Sequence, residues 1–269
     1  MTSPAELLAL YDSQQRLILP EHPPAGVAFE VTDGVMRVTG RGEGFVETAQ
    51  HLDLSGDELD ALIAKHRNHF AARGDAVEWK TRAHDLPADI PQRLERAGFE
   101  AQEKEAVLVG HTRDLLTARP LPAGVVIRET SDHDDIVGLS AMLSEVWKDD
   151  LSWLIEQLEA QLAAAPELTV LFVAEAEGTI VSGARIEFTP GSDFAGLWGG
   201  STAPAWQGKG IYGALAAARA QRAQQRGVRF LQVDASPESS PILQRRGFVE
   251  ITSTTPYIWS PSAPLGTQP

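Results

Sequence analysis

The sequence contains no cysteine, which removes disulfides, thiolate metal sites and a cysteine nucleophile from consideration. Positive charge is scarce. Lysine and arginine number 23 against 37 acidic residues, a formal net charge of −14. A nucleic-acid binder needs a basic face to neutralise phosphates, so no nucleic-acid partner is expected. A site for one small phosphorylated ligand stays open, because a few local donors suffice for it. No apolar run is long enough to span a membrane, so no membrane partner is expected. The opening Met-Thr-Ser-Pro-Ala-Glu lacks the basic and apolar segments of a signal peptide. The expected location is the cytoplasm.

What the chain does have is 43% hydrophobic content over 269 residues, enough to core one large domain or two average ones. In the first half, a helix over 1–19 is closed by Pro20, Pro23 and Pro24. Strands are expected at 27–31, 35–39 and 44–48, the first two joined by the hairpin signal Asp33-Gly34. A helix over 56–72, a strand at 76–81, a proline-interrupted helix at 91–97 and a strand at 105–109 follow. Pro120, Pro122 and Gly124 mark a linker over 119–124, dividing a domain 1–118 from a domain 125–261. Residues 262–269 read as a loose tail. The second half predicts a strand at 125–128, helices over 133–147 and 151–165, and strands at 169–174 and 180–188. A strand–loop–helix–strand unit over 195–233, a short helix at 241–246 and a strand at 249–259 complete it.

The halves repeat each other. Arg73-Gly74, a strand, a proline-bearing loop and Leu94-Glu95-Arg96-Ala97-Gly98-Phe99 mirror Arg226-Gly227, a strand, a proline-bearing loop and Leu243-Gln244-Arg245-Arg246-Gly247-Phe248. The candidate site lies in Gln207-Gly208-Lys209-Gly210-Ile211-Tyr212-Gly213, a glycine-rich loop opening a helix. Free backbone N–H groups and the positive end of the helix dipole make such a loop an anion site. Glycine lets the backbone approach a phosphate without an intervening Cβ. A nucleotide-triphosphate P-loop is excluded, since Gly210 follows Lys209 where serine or threonine is required. The dinucleotide fingerprint G-x-G-x-x-G is satisfied literally, with Asp234 about twenty residues on as a ribose-binding acid. Against an oxidoreductase on that plan, Thr202 to Trp206 intervene between strand and loop, and too little chain follows to finish a doubly wound sheet.

The stretch from Thr202 to Ile211 resembles the acyl-CoA loop of the GNAT superfamily of N-acetyltransferases, [QR]-x-x-G-x-[GA] after a strand ending V-x-P. Leu-x-x-x-Gly-Phe ending at Phe248 resembles that family's close. The resemblance implies an α/β (α+β) fold of two GNAT-like domains, each a mixed, mainly antiparallel sheet flanked by helices, the first degenerate. It further implies that acetyl-CoA or another acyl-CoA is co-substrate, with an amine as acceptor. Backbone groups from Gln207 to Gly213 would hold the pyrophosphate, and the strand at Gly200 to Ala203, with Thr202 and Ala203 as binding residues, the pantetheine arm. Ser236 stands where an asparagine is common. Two departures stand out: Tyr212 occupies a glycine or alanine position, and Leu243 replaces a tyrosine that protonates the departing thiolate. A non-catalytic acyl-CoA sensor is therefore the alternative.

A base must take the amine proton. Glu187, near a central strand's end, is the first candidate, with Glu175 and Asp193 behind it. His133 reads as part of a helix start, and His66 with His69 as an exposed polar face. No metal is assigned. In the first half, Ser55 and Glu58 form a capping-box pattern that would occupy the donors of the corresponding helix, and Asp57 and Glu58 would repel phosphate there. One CoA per chain, in the second half, is expected.

Overall fold

The computed structural model describes residues 2–40 and 42–261, so the tail expected at 262–269 lies outside the described residues. The chain forms two compact units, each assembled from non-contiguous segments: Met1–Val107, Asp234–Ser240 and Glu250–Pro269 in the first, Leu108–Val233 and Pro241–Val249 in the second. The linear division at 119–124 is not the one the contacts follow. Residues 108–124 belong to the second unit, and 250–259, expected within the second domain, belong to the first. No helix among the described residues is long and apolar enough to cross a membrane.

In the first unit, α1 (Pro4–Gln15) opens on a capping box: the Glu6 N–H donates to Ser3 Oγ at 3.3 Å, and the Ser3 N–H to Glu6 Oε2 at 2.7 Å. Strands β1 (Ala28–Thr32) and β2 (Val35–Thr39) form the expected hairpin. Both turn residues are left-handed, Asp33 at φ 53° and Gly34 at φ 74°, as the tight turn requires. β3 (Gly44–Thr48) is antiparallel to β2, crosses over through α2 (Gly56–Arg73), and lies parallel to β4 (Val77–Arg82). After α3 (Ile90–Arg96) come β5 (Glu100–Ala101) and β6 (Glu105–His111). The far edge of β4 is paired by β12 (Val249–Trp259), antiparallel, with Thr254 opposite Arg82 and Trp259 opposite Val77. Phe70, Trp79, Leu94, Phe99 and Tyr257 meet in the core. Each large side chain fully removed from water there contributes about 1.5–3 kcal/mol.

Two local expectations fail in this unit. Ser55 precedes α2 but makes no side-chain cap; its own carbonyl takes the Glu58 N–H at 3.2 Å. The cause is Gly56, which starts the helix at φ 55° and brings the Ser55 carbonyl, not the hydroxyl, to that donor. His66 is not on an exposed face. It is 4% exposed, edge-on to Trp79 at 5.8 Å, with Nδ1 unpartnered. Burial, seconded by the Arg37 charge, drops its imidazole from the ordinary value near 6.5 to about 4. The unfolded chain therefore takes up this proton first as pH falls. The stability from a neutral His66 is fully present above pH 6.5 and lost between 6.5 and about 4, up to about 3 kcal/mol. Urea midpoints measured across that window should fall more steeply for the natural chain than for His66→Leu; parallel slopes would remove His66 from the account.

The second unit begins its meander with β7 (Val125–Thr130), followed by α4 (His133–Trp147) and α5 (Trp153–Ala164). β8 (Thr169–Ala176), β9 (Thr179–Phe188) and β10 (Phe194–Thr202) continue it antiparallel. The chain then crosses through α6 (Ile211–Gln225) to β11 (Phe230–Ala235), parallel to β10, and on to α7 (Ser240–Gln244). Ala214, Ala216, Ala217, Ala220 and Ala223 are all buried in α6, and such small side chains let a helix lie close to its sheet. The repeat read from the sequence is visible in each unit. A parallel strand–helix–strand leads to a short helix, a left-handed glycine (Gly98, φ 90°; Gly247, φ 92°) and a buried phenylalanine (Phe99, Phe248).

Candidate active site

The parallel pair β10–β11 is short. Phe194, Ala195 and Gly196 register with Phe230, Leu231 and Gln232, while β10 runs on to Thr202 without further pairing to β11. Beyond Gly196 the two strands part. In that stretch β10 carries a bulge: Trp198 opposes Arg185 and Ser201 opposes Gly183, so Gly199 and Gly200 together face Ala184. Gly199, at φ 61°, has the backbone conformation that such a bulge assigns to glycine. Both glycines are exposed.

A 3-10 turn over Pro204–Trp206 leads from β10 to the loop. Gly208 and Gly210 stand at φ 72° and 87°, and a Cβ on Gly208 would meet nothing within 4 Å, so the loop backbone is uncovered there. The first bond closing on the helix runs from the Ala214 N–H to Gly210 O at 3.0 Å, which leaves the N–H groups of Ile211, Tyr212 and Gly213 ahead of the ladder. Other groups named from the sequence are spent within the protein. The Gln207 N–H donates to Pro204 O (3.3 Å) and the Ala203 N–H to Val181 O (2.9 Å). Thr202 O accepts from Gln207 Nε2 at 3.0 Å, and Thr202 Oγ1 meets Ser182 Oγ at 2.8 Å. The neighbouring strand β9 takes the Ala203 N–H and the Thr202 hydroxyl, and the 3-10 turn brings Gln207 back onto Pro204 and Thr202.

Positive groups crowd this loop despite the acidic chain. Lys209 Nζ lies 4.4 Å from the Trp206 ring centroid. A Cβ at Gly213 would come 2.3 Å from Arg246 Nη2, and one at Gly210 would come 3.7 Å from Arg119 Cβ. Beneath the loop, Arg219 is 2% exposed. It donates to Arg185 O and Leu215 O at 3.3 Å, and its guanidinium stands against the Tyr212 hydroxyl. Burial lowers its pKa to about 10. Tyr212 thus turns away from the loop: its Cε2 lies 3.1 Å from where a Cβ on Gly200 would be, so glycine at 200 admits the ring. None of Arg119, Arg185, Arg219 and Arg246 was singled out from the sequence. Arg185 alone left a signal, lying two residues before Glu187 and so on the same strand face.

Glu187 registers with Gly196, the last β10 residue before the strands part. It accepts from Arg185 Nε at 2.6 Å and is partly exposed. The fallback carboxylates are also paired, Glu175 with Arg128 (2.9 Å) and Asp193 with Arg229 (3.2 Å). His133 sits in the first turn of α4 with Nδ1 2.6 Å from Glu159, an exposed contact that raises its pKa. Ser236 is grouped with the other unit, in a turn where its carbonyl accepts the Ser239 N–H at 3.1 Å. Leu243 is 1% exposed, like Leu94 at the matching place in the first unit, so the tyrosine position is filled by core leucine in both. Asp234, the acid that a dinucleotide reading needs, is ion-paired with Lys80 and nearly inaccessible. Among the described residues no three His, Asp or Glu side chains gather as metal ligands.

Residues 135–248 match the model of the acetyltransferase (GNAT) family. Among solved structures, a GCN5-related N-acetyltransferase from Kribbella flavida is similar at 15% identity and TM-score 0.65, with 98% of each chain covered. A tandem GNAT protein from the clavulanic acid biosynthesis pathway is similar at 14% identity and TM-score 0.61, covering 90% of this chain and 86% of that one. A GCN5-related N-acetyltransferase from Sphaerobacter thermophilus reaches TM-score 0.58 at 16% identity, covering 89% and 85%. At such identities the likeness is one of fold. No curated protein matches the chain.

Proposed function

We propose, for a chain whose residues 135–248 match the model of the acetyltransferase (GNAT) family, that it moves an acetyl or similar acyl group from acyl-CoA to an amine. The observation that carries this reading is the opening between β10 and β11 beside a glycine loop with uncovered backbone. Residues Gly208 to Gly213 would hold the pyrophosphate, with Lys209, Arg119 and Arg246 supplying positive charge. The co-substrate brings the acyl group as a thioester. In the transfer an N–C bond forms as the C–S bond breaks, the amine nitrogen gives up a proton, and the thiolate takes one from solvent. A thiol pKa near 8.5 makes that thiolate a competent leaving group, so the absence of an acid at Leu243 is tolerable. Glu187 would receive the amine proton, directly or through water, once its carboxylate yields part of its bond to Arg185. Holding both reactants in line can supply roughly 7–11 kcal/mol of the barrier reduction at best.

A sensor that binds acyl-CoA without turnover is the second reading, and the ion-pairing of all three candidate bases favours it. Calorimetric titration should give one acetyl-CoA per chain, because the start of α2 carries Asp57 and Glu58 and Gly56 as its single glycine. Two sites would overturn the assignment of the first unit. Release of free thiol with a panel of amines then separates enzyme from sensor.

A further inference from the structure

The first unit repeats the parting of two parallel strands but closes it again. Glu47 against Lys80 is the last registered pair of β3 and β4. Farther on the two segments rejoin, the Leu86 N–H donating to Gln50 O at 2.8 Å and the Leu52 N–H to Leu86 O at 2.9 Å. Between these fastenings lies an eyelet. The Ala49 N–H turns to Gly34 O on one side, and the Ala83 N–H to Ser253 O on the other. Successive peptide groups of a strand point opposite ways, so Thr48 O and the Arg82 N–H face into the eyelet.

Side chains take both groups. Arg16, which closes α1, donates to Thr48 O from Nε at 3.1 Å and from Nη2 at 2.7 Å. The Arg82 N–H donates to Asp85 Oδ2 at 2.7 Å. Arg16 Nη2 stands 2.8 Å from Asp85 Oδ1, an ionic contact without hydrogen-bond alignment. Its Nη1 reaches Asp12 Oδ1 at 3.2 Å. Carbonyl, guanidinium, carboxylate and N–H thus follow one another across the gap, and Arg16, Thr48 and Asp85 are all buried. The chain bends to bring this about. Leu17 stands at φ 54°, a region leucine seldom enters, and its N–H donates to Glu47 Oε2 at 3.2 Å. Glu47 pairs with Arg82, whose Nε donates to the Tyr11 hydroxyl of α1 at 3.1 Å.

In the second unit the matching gap, past Gly196 and Gln232, stays open. Emptied of Arg16, the eyelet would present a carbonyl and the carboxylates of Asp12 and Asp85. That set suits a flat cation with several N–H groups, and not a neutral amide arm. We infer that the gap between β3 and β4 is a guanidinium-binding site, occupied in cis by Arg16, so that α1 is the strap shutting the first unit's opening. The inference concerns the first unit alone and is independent of the acyl-transfer reading.

Hydrogen exchange followed over residues 44–52 and 77–86 tests it. Arg16→Ala should exchange there about a hundredfold faster than the natural chain, because a buried carboxylate loses its partner. Arg16→Lys should exchange nearly as fast, since one ammonium cannot serve Thr48 O, Asp12 and Asp85 together. Methylguanidinium should then restore slow exchange in the alanine variant with a saturating dose response, and methylammonium at equal concentration should not. Three results would each overturn the inference: unchanged exchange in the alanine variant, a lysine variant as protected as the natural chain, or rescue that is absent or equal for the two cations. Arg16 would then be an ordinary ion pair. Should the alanine variant not fold, refolding from urea decides. A yield raised by methylguanidinium above methylammonium supports the site, and equal yields end it.

Discussion

Replacing Gly210 with aspartate is expected to abolish acetyl-CoA binding, with affinity reduced a hundredfold or more, while the protein still folds. Gly210 caps α6 at φ 87°, and the nearest group to a new Cβ is Arg119 Cβ at 3.7 Å, so no clash blocks folding. The backbone strain costs roughly 1–2 kcal/mol, and aspartate is among the residues that bear it best. The carboxylate, however, would stand where phosphate oxygens approach, and like charges about 4 Å apart repel by about 4 kcal/mol near a protein surface. Gly210→Asn separates the two effects, since it has the same shape and strain without the charge. Calorimetry should find acetyl-CoA binding lost in the aspartate variant and largely kept in the asparagine one. Equal affinity in natural chain and folded aspartate variant would remove the phosphate from this loop.

Glu187→Gln should lower turnover by roughly 10²–10⁴ with acetyl-CoA affinity unchanged. The amide can still accept from Arg185 Nε, so strand geometry persists and only proton acceptance is lost. The rate should recover partly at high pH, where the amine is free without a base. Normal activity of the variant at neutral pH would reduce Glu187 to a partner of Arg185. The base would then lie elsewhere.

The sequence made local features legible and left the non-local ones hidden. The Asp33-Gly34 turn and the span of α4 depend on neighbours a few residues away, and each stands where expected. The order of strands was less accessible. That β12 completes β4 follows from pairing between residues such as Tyr257 and Trp79, and no spacing rule reports it. The capping pattern at Ser55 misled because one positive-φ glycine redirected the serine. At the site, glycines and helix start gave away the loop, but not which N–H groups the 3-10 turn would use up. Arg219 reads as one more polar residue of an alanine-rich helix. Only the packing of α6 buries it.

The division of β12 bears on how the polypeptide can be made. The first unit needs residues 250–259 to cover the free edge of β4, yet these leave the ribosome after the entire second unit. At synthesis rates of roughly 5–20 residues per second, the interval is on the order of ten seconds. Throughout it β4 offers an unpaired edge, the kind of surface on which strands of other chains add. The two units are therefore not beads completed one after the other. The first to be translated is the last to be finished, and a chain stopped anywhere before β12 leaves it open.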